Sequence, residues 1–147
     1  MNLMRALLSL VVAYESVPVK NKSAVIHSGH PAIIDTALLE DATAKLKAGT
    51  ILKFNSTGDK LVPAVGNPPP PANNDPPTPV DTPAAVLAED SDGKNAEVLV
   101  CWHGAVVAGR LLDSSGNQPV AASEELVFNL RSAGIYPLQL FTSARKG

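Results

Sequence analysis

Apolar positions along the chain fall into short runs set apart by polar, turn-forming stretches. The most strand-like run is 96–107, where Val98, Val100 and Trp102 alternate with Leu99, Cys101 and His103. A period of two puts these sets on opposite faces of a strand. Both sets are largely apolar, so the strand is expected inside a sheet and not at a solvated edge. Residues 84–88 form a second, shorter strand candidate, with an acidic stretch, 89–93, between the two. Asp92-Gly93 predicts a tight connection that lets the runs pair, because glycine tolerates positive φ. Gly104 and Gly109 interrupt the longer run and predict a bulge or a corner. The ribbon 84–112 is thus the expected centre of a small β domain.

The flanks extend this pattern. Residues 50–54 and 60–65 read as strands around a hairpin-type loop, 55–59, and Pro63 confines the return strand to an edge or an end. Residues 24–27 predict a short strand and 28–31 a turn. Residues 32–46 are ambiguous. Asp35 as a cap, with Leu38, Leu39, Ala42 and Leu46 on one side, predicts a short helix ended by Gly49. Downstream, 111–119 reads as a loop and 120–133 as a helix. Ser123 is the expected cap, with Glu124 and Glu125 in the positive first turn. Leu126, Val127, Leu130 and Ala133 form its apolar stripe, Arg131 sits near the negative end, and Gly134 stops it. Residues 137–141 predict a last strand, followed by a polar tail. The expected class is mainly β with one short C-terminal helix.

Two segments stand outside this scheme. Residues 1–14 are apolar apart from Asn2, Arg5 and Ser9. They read as an extended arm that packs on this protein or on a partner. A secretory signal is the alternative, with 6–12 as its apolar region and Val11-Val12-Ala13 as the cleavage site; that region is at the short end for a signal. Residues 67–83 are rich in proline, which favours a solvated, semi-rigid surface loop. P-x-x-P spacing occurs there, but no nearby arginine or lysine orients it for a proline-binding partner.

Composition narrows the function classes. A chain of 147 residues suits one domain with a core plus an arm. A net charge of -2 gives no general attraction to nucleic acid, and 4% aromatic residues argue against a base-stacking platform. No apolar run reaches the roughly 18–20 residues needed for a bilayer-spanning helix. A single cysteine precludes an intrachain disulfide. His27, His30, Cys101 and His103 are the conceivable zinc ligands, but none has metal-motif spacing. The acidic stretch 89–97 lacks the ligand spacing of a calcium loop. Glu40-Asp41 and Glu124-Glu125 are adjacent pairs that diverge on a helix. No nucleophile motif and no phosphate-cradling loop is present. A non-enzymatic protein without cofactor or metal is expected, with neither nucleic acid nor membrane as partner.

The order of elements carries a resemblance. AGTILKFNSTGDKLVPAV, a proline-rich insert, AAVLAEDSDGKNAEVLVCWHGAVVAGRLL, a glycine-ended helix and GIYPLQL follow one another. Over roughly residues 45–141 this resembles the lambda head decoration protein family, the phage capsid cement proteins. Residues 84–88 stand where that family has an A-V-G-I-L-A type stretch. The insert is longer than the family pattern, and the N-terminus is apolar where the namesake's arm is polar. The resemblance implies a β-tulip-like domain, 45–147, preceded by an arm and capsid-contact segment, 1–44. It implies a homotrimer at three-fold and quasi-three-fold sites of a mature head. There it would stabilise the shell on the outer surface of the virion by clamping major capsid proteins of HK97-like fold. The capsid-binding residues would be Met1, Leu3, Met4, Leu7, Leu8, Leu10, Val11, Val12, Tyr14, Val17 and Val19, with 24–34 as a further contact region. Trp102, His103, Arg110 and Tyr136 would be trimer contacts. The alternative is a secreted or surface-displayed β-module that binds a host ligand, with residues 1–13 as its signal.

Overall fold

The computed structural model describes residues 25–27, 31–66, 73–76, 80–119 and 123–138. The strands are β1 (Ile33–Leu38), β2 (Ile51–Phe54), β3 (Leu61–Pro63), β4 (Ala85–Leu87), β5 (Glu97–Val107) and β6 (Ile135–Leu138), with helix α1 (Glu124–Ser132) before β6. They form a mixed sheet in the order β1-β5-β4-β2-β3, with β6 also paired to β5. All pairings on the main path are antiparallel, and β6 runs parallel to β5. The protein is therefore mainly β with one short helix, as the apolar pattern predicts.

The ribbon lies inside the sheet. Val86 pairs with Cys101 and Leu87 with Val100, while β1 covers the other edge of β5. The expected tight turn at Asp92-Gly93 does not form. A longer connection, 88–96, leaves the sheet and holds the segment after β1 in place. The Ser91 hydroxyl donates to the Ala44 carbonyl at 2.6 Å and accepts from the Leu46 N–H at 2.6 Å. Asp90 accepts from the Ala48 N–H at 2.8 Å. Asp92 instead folds its own turn, accepting from the N–H groups of Lys94 and Asn95.

The helix expected over 32–46 is absent. Ile33–Leu38 is a strand, in register with β5 from Ile33 opposite His103 to Leu38 opposite Glu97. Asp35 accepts from the Thr36 N–H at 2.7 Å and caps nothing. The free edge of the long β5 offers a ladder of backbone hydrogen bonds. That offer outweighs weak local helical periodicity, and β-branched Ile33, Ile34 and Thr36 fit a pleated strand. Ile26 bridges Val106, so residues on both sides of position 44 belong to one sheet, and the expected boundary there does not divide it.

β5 changes character at its middle. The register shift between Ile33 and Ile34 leaves Trp102 as the extra residue of a bulge. Gly104 follows with φ +137, where a Cβ would lie 2.9 Å from that of Ala32. Glycine is required here by both conformation and close approach. The bulge switches which alternate residues face each side, so Cys101 and Val106 reach the same apolar cluster. A 3-10 turn, Ala108–Arg110, ends the strand.

Two apolar clusters occupy the two faces. One joins Ile51, Val86, Cys101 and Val106 to Leu126 and Leu130 of α1 and Ile135 of β6. The other contains Leu52, Leu87, Val98 and Val100 with Leu39 and Leu61. Leu39 bridges Leu61 beside β3, so the strand path curls back on itself and this second cluster fills the inside of the curl. The hairpin β2–β3 is shaped by Asn55, whose side-chain carbonyl accepts from the Gly58 N–H at 2.9 Å. Pro63 lies at the end of β3, where no interior ladder bond is lost.

The helix matches its sequence signals where it is described. Ser123 Oγ accepts from the Leu126 N–H at 3.1 Å, Leu126 and Leu130 are buried, and Gly134 follows with φ +85. The expected residues 120–122 lie outside the described set. The last strand starts at Ile135, earlier than the expected 137, because Ile135 pairs with Gly104 as soon as the helix ends. Residues 139–141 of that expected strand are outside the described set.

Candidate binding surface

The conceivable zinc ligands do not converge. Cys101 is fully buried, and its thiol donates to the His103 carbonyl at 3.4 Å. Burial pushes that thiol up to about 11. The exposed His103 ring lies against Gly134 and meets Tyr136 edge-on, with centroids 5.9 Å apart. His30 is outside the described residues. Among the described residues no group of three or more His, Cys, Asp or Glu is arranged to hold a metal ion. Asp41, Asp59 and Asp92 are held below the ordinary carboxylate value, first by Thr43, Thr57 and the Lys94 N–H respectively. Those three are loop anchors: each carboxylate accepts hydrogen bonds from its own turn.

The aromatic residues are the unusual feature. None of those described lies fully in the core. Phe54, Phe128 and Tyr136 are 49%, 69% and 43% exposed, and Trp102 is half-buried. Aromatic side chains normally dominate cores and interfaces. Here aliphatic residues fill the core, and the rings remain at the surface.

Two of these rings build a groove. Phe54 ends β2 and Trp102 occupies the β5 bulge; their rings stack with centroids 6.0 Å apart and planes at 26°. Pro83 and Ala84, leading into β4, line it together with Asn129 and Ser132 of α1 and Ala133, which caps that helix. The groove encloses about 810 Å³. Lys53 also lines the groove; its Nζ contacts Asp81 at 2.7 Å, and Asp81 also accepts from the Val65 N–H, so this charge pair is already satisfied.

The expected trimer-contact residues are only partly brought together. His103 and Tyr136 touch, and Trp102 neighbours His103 in the chain but turns its ring to Phe54. Arg110 is exposed in the 3-10 turn beyond the C-terminal end of β5. The expected shell contacts Met1 to Val19 lie outside the described residues. Of the further region 24–34, Val25 is buried in the core and Ile26 is bridged to β5, so neither is a free contact surface. Phe54 was missed by sequence reasoning. Its signal was an aromatic at the outward phase of a strand next to a turn, in a chain with few aromatics. Comparison of the sequence with protein-family models and with curated proteins gives no match.

Proposed function

We propose that this protein is a non-enzymatic capsid decoration protein, acting as a homotrimer on the outer surface of a mature phage head. The observation that carries the reading is the order of paired elements. A β2–β3 hairpin, a proline-rich insert, the β4–β5 ribbon, a glycine-ended helix and a final strand follow one another as in the family the sequence resembles. An apolar N-terminal segment ahead of such a domain suits an arm that adds a strand to a capsid protein. Main-chain hydrogen bonds then supply affinity and side-chain pockets supply specificity. Three arms on one trimer multiply weak single contacts. Binding that is selective for the expanded lattice stabilises that lattice by mass action. The exposed His103 and Tyr136 pair is the candidate for subunit contact within this reading.

Deleting residues 1–19 tests the arm. The variant should retain the circular dichroism spectrum of the domain and lose binding to expanded heads in a sedimentation assay. Undiminished head occupancy would remove the arm from the proposal. Imaging of decorated particles tests the rest: density for this chain should sit at three-fold and quasi-three-fold positions.

A further inference from the structure

We propose that the groove between Phe54, Trp102 and α1 is the resting place of the chain's own N-terminal apolar segment when no shell is bound. The inference rests on the arm reading above and adds where the arm goes in the free protein. Three observations meet. The groove is walled by Phe54, Trp102, Pro83 and Ala133, and its charged residue Lys53 is already paired with Asp81. It therefore suits an apolar occupant. The segment supplies Met1, Leu3, Met4, Leu7, Leu8, Leu10, Val11 and Val12 in close succession. Such a run gains free energy wherever it leaves water.

Reach is the third observation. The described chain begins at Val25, whose carbonyl accepts from the Val107 N–H at 2.7 Å on β5. Trp102 lies on the same strand, roughly 15 Å away at about 3.3 Å per residue. Residues 1–24 could span up to roughly 80 Å when extended. The segment can therefore turn back along β5 with length to spare, at only a modest closure cost. The side-chain amide of Asn129, in the groove wall, offers both donor and acceptor to an extended backbone. Shell binding would have to release the segment, so groove and shell compete for one arm.

Trp102 is the single tryptophan of the chain, so its emission reports on this groove alone. In the free full-length protein, deletion of residues 1–19 should move the emission maximum to longer wavelength and increase quenching by iodide. A synthetic peptide of residues 1–19 should reverse both changes saturably. The combined variant Leu7→Ser, Leu8→Ser, Val11→Ser should behave like the deletion while keeping the chain length. In the intact protein the emission should not change on dilution. Superimposable spectra for full-length and shortened chains overturn the proposal. So does emission that depends on concentration but not on residues 1–19, which would make a second copy the occupant. Loss of head binding with unchanged Trp102 emission would remove the resting place and leave the arm's shell role standing.

Discussion

At the scale of single residues, backbone approach decides more than composition does. Gly49 has φ +96, and a Cβ there would lie 2.0 Å from the Arg110 carbonyl oxygen. Gly58 has φ +77 with nothing within 4 Å. Both positions disfavour an L side chain, but only one also forces two backbone segments apart. Gly58→Ala should cost about 1 kcal/mol, the conformational penalty alone. Gly49→Ala should cost about 3 kcal/mol or prevent folding. Urea denaturation of the pair checks this; equal costs would refute it. Cys101 gives a second prediction. Its folded value of about 11 exceeds the reference of 9.0 because burial disfavours the thiolate. The unfolded chain then ionises first, so the contribution is full below about pH 9 and is lost as pH rises toward 11. Wild type should lose stability faster than Cys101→Val across that window. The thiol should resist alkylation at pH 8 until the protein is unfolded.

At the scale of elements, the loop 88–96 is a structural part and not a mere connector. Ser91 is 9% exposed and bonds both Ala44 and Leu46. Ser91→Ala leaves the half-buried Ala44 carbonyl and Leu46 N–H without that partner, two bonds at once, and should cost about 1–3 kcal/mol. Ser123→Ala removes a cap from a surface helix and should cost about 1 kcal/mol. Thermal melts of the two variants rank the effects, and a larger loss at Ser123 would contradict the role given to the loop. The strand β1 makes the complementary point. It takes up the cap, Asp35, and the first stripe residue, Leu38, of the expected helix, and the unpaired edge of β5 imposes a strand on them.

At the scale of the whole molecule, β2, β4 and β5 are shared by both apolar clusters. Ile51 and Leu52, adjacent in β2, point into different ones. Neither cluster can be lost without exposing the other, so the described domain should unfold as one unit. Leu130→Ala, under the helix, and Leu52→Ala, inside the curl, should each cost about 2–5 kcal/mol. In both variants Trp102 fluorescence and far-ultraviolet circular dichroism should trace coincident transitions. Separate midpoints would mean that helix and curl are independent. The same shared core is filled by aliphatic side chains and leaves the described aromatic rings at the surface.

The sequence by itself determined the elements whose signals are local. Period-two alternation placed β5, Asn55 to Asp59 placed the hairpin, and Ser123, Leu126, Leu130 and Gly134 placed the helix. Each of these depends on residues within a few positions of one another. Tertiary structure decided what depends on distant partners. The strand at Ile33–Leu38 exists because β5 has a free edge; Gly104 and Gly109 signal a bulge or a corner in the sequence, but only the register of β1 on β5 puts the extra residue at Trp102. The groove is assembled from β2, the approach to β4, β5 and α1. Neither Phe54 nor Trp102 carries a local signal for the other, since their rings meet only when strands far apart in the chain are brought side by side.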